Sequence, residues 1–470
     1  MVLMINPYSG SSGINEATIL PPVGLVYIAT YLREKGFDAR VYDANIKGSN
    51  PAVVADMVRD TDPDIVGIYL NSFMINWTRE FIATLREMGV TSVIGLGGPL
   101  PSVYPGKVLE HIGGDFVVTG EGEIPLEVMC RNIREGKPYY SDVPGIRYLS
   151  GSEVISGPPN ERIRDLDILP FPDYSLLGKL SDYKVRAIRS PTAPIVTSRG
   201  CPFQCTFCSK AVFQSRTTFR SPQNVVEEIR LLKSRFGANQ IDILDDNFTL
   251  KRSYAEEVID GIIDADIDIA INLQSGVRVE TLDEALIEKM SRAGVVKIGF
   301  GIESADKHVL EMCKKSLDLD KLREAVRMSK KYGIKVSGYF IIGLPGETRN
   351  SVLETVRFAK ELKLDAANFA MAIPFPGTEL YAFVREHGRF LIDPEANYDY
   401  GFFASEPFFE LEGMDGEEMR YRFDLAYRSF YTPGKVLHDI VRMRSRSEFA
   451  WYLQAGWSLF RGKIKTMLSR

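Results

Sequence analysis

Residues 198–210 read SRGCPFQCTFCSK, placing Cys201, Cys205 and Cys208 in one short loop directly behind the strand-like run APIVTS. Thiolates packed this closely are metal ligands. A structural zinc site closes four ligands, commonly as two pairs. After Cys208 the next candidates are His308 and Cys313, far along the chain and without a second pair. An iron–sulfur cube suits the spacing better, because a short loop can wrap it and reach three of its four irons. The fourth iron then stays open to a ligand that is not protein.

Around this loop the chain alternates strand and helix. From Pro194 onward six apolar runs, among them QIDILDD, VVKIGFGIES and KVSGYFIIG, are separated by helical segments such as PQNVVEEIRLLKSRFG. This predicts a partial (β/α)6 TIM-like barrel over residues 193–392, with its chemistry at the strands' carboxyl ends, where the cysteine loop falls. Residues 1–136 hold an earlier series of five βα units whose strands are continuously apolar. Such strands suit a parallel sheet covered on both faces, hence an α/β, doubly wound, flavodoxin-like domain. Its ligand rim comprises four loops: residues 6–20, Asn71 to Asn76, GGPLPS at 97–102 and TGEGE at 119–123.

Residues 137–192 are dense in Pro, Gly and Asp and read as a linker with room for a hairpin. Residues 393–470 form a helical, aromatic-rich C-terminal region. From Pro433 on it carries eight Lys/Arg against two Asp/Glu. Phe449, Tyr452, Leu453, Gly456, Leu459 and Phe460 share one helical face, near Trp451 and Trp457. That stripe suits packing against the barrel; a peripheral membrane contact or a lipophilic substrate is the other reading.

Composition narrows the class. A 470-residue chain with 45% hydrophobic and 25% charged residues is globular and long enough for several domains. Its net charge of -5 gives no expectation of nucleic acid. No apolar run approaches a membrane-spanning length. The opening MVLMINPYSG lacks a basic n-region and reads as a buried strand. Five cysteines, an odd number, argue for a reducing compartment, so a cytoplasmic location is expected. Cys130 and Cys313 sit on apolar helical segments and read as inert packing thiols.

The C-x3-C-x2-C spacing, with Phe207 before the last cysteine, resembles the signature of the radical S-adenosylmethionine (SAM) enzymes. TFRSPQNVVEEI, IDILDDNFTL, GVRVETLDEALIEKMSRAGVVKIGFGIESAD, YFIIGLPGET and PFPGTELY resemble that family's barrel, in order. PPVGLVYIATYLREKGFDARVYDA and GDFVVTGEGEIPLEV resemble the cobalamin-binding domain that precedes the barrel in one large subclass. The resemblance implies three cofactors: a 4Fe-4S cluster, SAM and cobalamin. It implies that the open iron chelates SAM's methionine part, and that reductive cleavage of SAM releases a 5′-deoxyadenosyl radical.

Carried over residue by residue, the resemblance makes Cys201, Cys205 and Cys208 the cluster ligands and Phe207 the aromatic beside them. It directs Asp245 and Asp246 to SAM's amino end, Arg278 to its carboxylate, Glu303 to ribose hydroxyls, and Gly343, Leu344 and Pro345 to adenine. Competing readings are a helix N-cap for the aspartate pair, a surface ion pair for Arg278 and a plain turn at Gly343. The implied cobalamin loops are Asn71, Ser72 and Phe73; Gly97, Gly98 and Pro99; and Thr119, Gly120, Glu121, Gly122 and Glu123. None of His111, His308, His387 and His438 lies in the D-x-H-x-x-G pattern of cobalt-ligating cobalamin domains.

The expected activity is C-methylation of an unactivated carbon in a small substrate, which the aromatic stripe would allow to be lipophilic, with electrons from a donor such as flavodoxin or ferredoxin. Ring formation or rearrangement with the same cofactors is the alternative, and a non-catalytic iron–sulfur sensor a more distant one. A methylthiotransferase would need a second cysteine trio in the first domain, where only Cys130 stands.

Overall fold

The computed structural model describes residues 1–9, 19–183, 185, 187–274, 276–392 and 406–441. The aromatic stripe at 449–460 and most of the loop at 6–20 lie outside these residues.

The first sheet comprises β1 (Val2–Asn6), β2 (Ala39–Asp43), β3 (Ile65–Tyr69), β4 (Val93–Gly97), β5 (Phe116–Val118), β6 (Ile146–Ser150) and β7 (Glu153–Ser156), in the order β2-β1-β3-β4-β5-β6-β7. β1 to β5 run parallel in flavodoxin-like order, with β1 and β3 in register from Val2↔Ile65 to Ile5↔Ile68. Leu3 and Ile5 face one hydrophobic core and Val2 and Met4 another, so the sheet is covered on both sides, as its apolar strands require. Local signals begin the helices. Asn50 caps Pro51–Thr61 by accepting from Val53 N, with Pro51 in the first turn. β6 and β7, from the expected linker, form an antiparallel hairpin that widens this sheet.

The second sheet is a six-stranded parallel partial barrel. It comprises β8 (Thr192–Ile195), β11 (Gln240–Ile243), β12 (Ala270–Leu273), β13 (Val295–Glu303), β14 (Lys335–Ile342) and β15 (Ala366–Met371), in the order β15-β14-β13-β12-β11-β8. Between β8 and β11, β9 (Ser198–Arg199) pairs antiparallel with β10 (Thr218–Phe219) and closes the neck of the cysteine loop.

Residues 157–183 tie the halves together. Asn160 donates to the Thr119 and Glu121 carbonyls, Asp173 N to Thr30 Oγ1, the Tyr174 hydroxyl to Pro194 O and that of Tyr183 to Asp43 Oδ2. The helix Gly416–Phe430 likewise packs against the barrel. Met419, Phe423 and Phe430 join its core, and the hydroxyls of Tyr427 and Tyr431 donate to the Phe369 and Ala367 carbonyls of edge strand β15. This blunts an edge that would otherwise expose unpaired backbone. Among the described residues no helix is long and apolar enough to cross a membrane.

Candidate functional site

The carboxyl ends of the two sheets meet over a cavity of about 770 Å³. Gly67, Gly95 and Gly97 from β3 and β4 line it, with Gly98, Gly120 and Gly122 from the loops beyond the strands. Ser198, Arg199, Leu244 and Asp246 line it from the barrel side.

The glycines serve different ends. A Cβ on Gly95 would strike the Phe116 ring at 2.0 Å, so Gly95 lets that ring lie flat on the sheet. At Gly97 a Cβ would meet nothing within 4 Å, and its absence enlarges the cavity. Gly98 takes φ +112°, ψ −165°, conformational space essentially restricted to glycine, and begins the short helix Pro99–Val103 inside the expected GGPLPS loop. Asn71 lines the cavity while its side chain accepts from Phe73 N. Phe73 also lines it and meets Phe375 of the barrel edge-on at 5.9 Å. Ser72 is buried, and Thr119 donates its hydroxyl to Gly145 O, holding β6 to the rim. Pro99 occupies the first turn of its helix and is absent from the lining. No histidine lines the cavity among the described residues.

Glu121 and Glu123 do not face this space. Both are buried in ion pairs to Arg199, at 2.6 and 2.7 Å, and Glu121 Oε2 also accepts from Ile163 N. Their side chains thus have a partner that neither local sequence reveals.

Cys201, Cys205 and Cys208 carry free thiols on a loop pinned by Thr206, whose N donates to Cys313 O and whose carbonyl accepts from Leu380 N. Burial, then the charges of Cys205 and Cys201, push the Cys208 thiol up to about 11. Among the described residues no three His, Cys, Asp or Glu side chains gather as a single ion requires. Three soft ligands sharing one short loop suit the separate corners of a cube. Phe207 is partly buried against the barrel core.

The two aspartates of LDDNF divide. Asp245 is fully buried and accepts from Thr197 N, Thr197 Oγ1 and Ser198 Oγ at 2.5–2.6 Å, which pins β9. Burial pushes its carboxyl up to about 6. Asp246 lines the cavity and accepts from Gly200 N at 3.0 Å. Glu303 is buried at the end of β13 with φ +64°, where the pairing with β14 slips. Its Oε1 accepts from Lys315 Nζ at 2.9 Å, and Lys315 also faces Cys205 and Cys208 electrostatically. A non-glycine residue held in this backbone region at a strand end marks stored strain of the kind found at functional sites.

Arg278 is paired with Glu280 at 2.9 Å and stacks over Phe203 of the cysteine loop, its guanidinium carbon 3.9 Å from the ring centre. It therefore braces the loop. Gly343, Leu344 and Pro345 are buried: a Cβ on Gly343 would lie 2.9 Å from Met419 Sδ, and none of the three lines the cavity. Cys130 and Cys313 are buried thiols pushed up to about 12 by burial. Sequence reasoning missed Arg199 and Lys315. The signal for Arg199 was its place two residues before Cys201; Lys315 left none.

Fold and site together define an iron–sulfur enzyme built on a partial barrel, with a second, doubly wound domain facing its active rim. Residues 195–359 match the Radical SAM superfamily and residues 13–129 the B12 binding domain. An uncharacterised methyltransferase of Pyrococcus horikoshii is 31% identical over 439 residues, which are 93% of each chain. The anaerobic magnesium-protoporphyrin IX monomethyl ester cyclase of Rubrivivax gelatinosus is 28% identical over 92% of this chain and 77% of its own. The radical SAM methyltransferase TsrM of Kitasatospora setae, solved with cobalamin and a [4Fe-4S] cluster, superposes with TM-score 0.68 at 21% identity, covering 82% of this chain and 74% of its own. The chain belongs to the radical SAM superfamily, in the branch that carries a B12-binding domain ahead of the barrel.

Proposed function

We propose that the protein is a cobalamin-dependent radical SAM C-methyltransferase acting on a small molecule held between its two rims. One observation carries this reading: a single cavity is bounded both by the glycine-lined ends of β3 and β4 and by the residues flanking the cysteine loop. In this reading Cys201, Cys205 and Cys208 hold the cluster. Asp246, Glu303 and Lys315 supply charge for the polar ends of SAM, and Gly97, Gly98, Gly120, Gly122, Asn71 and Phe73 accommodate the corrinoid. When bound, these cofactors supply a carbon radical and a transferable methyl group. The chain's own work is to hold them at opposed rims and to exclude water and stray C–H bonds.

The protein neck around the loop is built for such exclusion: Asp245 fixes β9, Arg278 covers Phe203 and Phe73 closes on Phe375. The electron comes from an external donor of flavodoxin or ferredoxin type.

The test is anaerobic reconstitution with iron and sulfide, then SAM and a strong reductant, with 5′-deoxyadenosine measured and corrinoid absorbance read after removal of unbound ligand. Formation of 5′-deoxyadenosine with retained corrinoid is expected, as is a product one methyl group heavier once a substrate is supplied. Cleavage with no retained corrinoid sinks the proposal. A product of unchanged carbon count with a new ring moves the assignment to cyclisation.

A further inference from the structure

Arg199 lies on β9, two positions before Cys201, yet its side chain is held by the other domain. Nη1 donates to Glu121 Oε1 at 2.6 Å and Nη2 to Glu123 Oε1 at 2.7 Å, with all three side chains buried. Tyr27 of the helix Val23–Glu34 and Phe213 beyond the cysteine loop each place a ring centre 5.7 Å from the guanidinium carbon. Arg162 donates to the backbone carbonyls of Arg199 and Arg216, at 3.0 and 2.5 Å, clamping the strand that carries the fork. A guanidinium can serve two carboxylates at once from fixed directions, whereas an ammonium is a point charge.

The rim loop alternates in what it touches. Gly120 and Gly122 line the cavity, while Glu121 and Glu123 grip Arg199. A group seated on the glycines would therefore lie one peptide away from the carboxylates that hold the barrel side. The path beyond Arg199 has little slack. Gly200 takes φ +92° with its Cβ position 2.1 Å from Arg216 O; its N donates to Asp246 and its carbonyl accepts from Thr217 Oγ1, both at 3.0 Å. Cys201 follows directly.

The geometry points to Arg199 as a positioning residue through which the N-terminal rim sets the order of the cysteine loop, so that filling the corrinoid side of the cavity is felt at Cys201. The occupant's identity rests on the function proposed above; the coupling between the rims does not. Coupling of this kind needs a measured response across the interface, not spatial adjacency alone.

The experiment is amide hydrogen exchange on the full-length protein reconstituted with iron and sulfide. It compares wild type, Glu123→Gln and Arg199→Lys, each with and without hydroxocobalamin. Glu123→Gln is expected to speed exchange across 198–208 by about tenfold, although the substitution lies in the other domain, while β12 to β14 stay unchanged. Hydroxocobalamin is expected to slow the amides of 201–208, which do not line the cavity, in wild type and to lose that effect in Arg199→Lys, a response a merely structural ion pair would not show.

Exchange at 198–208 that ignores both substitutions overturns the inference. Should either variant fail to fold, wild type decides: bound hydroxocobalamin with no change at 201–208 overturns it, and slowed exchange there supports it. A wild type that retains no hydroxocobalamin sinks the proposed function instead, and Glu123→Gln without corrinoid then decides the coupling.

Discussion

Across the cavity, one rim offers glycine and backbone and the other offers ionisable side chains. Gly97, Gly98, Gly120 and Gly122 stand on the first; Cys201, Cys205, Cys208, Asp245, Asp246 and Glu303 stand on or just beneath the second. The first rim makes room by omitting side chains. The second sets chemistry with ionisable groups: free thiols on the loop, and beneath them buried carboxylates held by hydrogen bonds, as the three onto Asp245 show. A rim built by omission should lose ligand while keeping its fold when filled. A rim built by satisfied charge should lose its fold or its cluster when any one group is removed.

The largest effect is expected at the cysteine loop. Cys205→Ala should abolish 5′-deoxyadenosine formation and lower bound iron and sulfide to background, read by metal analysis and chromatography. Full cleavage by this variant would break the comparison at its centre.

Next comes Asp245→Ala, which leaves one buried amide and two hydroxyls without their acceptor. A loss of roughly 3 kcal/mol is expected in denaturant unfolding, well beyond that at Gly97.

The neighbouring glycines then sharpen the contrast. Gly97→Ala should hold stability within about 0.5 kcal/mol of wild type, because its Cβ meets open space, yet lower corrinoid retention severalfold. Gly98→Ala should cost about 1–3 kcal/mol, since its backbone conformation excludes other residues and its Cβ would lie 2.9 Å from Leu70 O. Equal stability losses in the pair would show that both glycines are merely structural.

The smallest expected effect is in pH dependence. Burial pushes the Glu347 carboxyl up to about 7 from its ordinary 4.5, against the pull of Gly343 N–H and Arg422. Between those values the folded carboxyl keeps a proton that the unfolded one has lost. Its contribution is therefore fully present below about 4.5 and declines as pH rises to about 7. Glu347→Gln should flatten that segment of a stability–pH profile measured by thermal unfolding. A segment unchanged by the substitution would place the titration elsewhere.

Much of this was legible along the chain. The strand and helix alternation gave both sheets, because period and turn chemistry are local, and Cys201, Cys205 and Cys208 declare themselves within eight residues of sequence. The rim loops were located but their side chains only partly assigned. TGEGE reads as a ligand loop, yet its two glutamates belong to Arg199, 78 and 76 positions away. GLPGE reads as an adenine turn, yet Met419 lies over Gly343 and Arg422 donates to Glu347 O from a helix the motif does not contain.

The sequence by itself determined the order of elements, the two-domain plan and the cluster loop, since each depends on residues adjacent in the chain. Only the tertiary structure decided which buried charge meets which. That choice is made when two surfaces lose their water together, and a carboxylate so buried takes whatever cation the packing brings within reach.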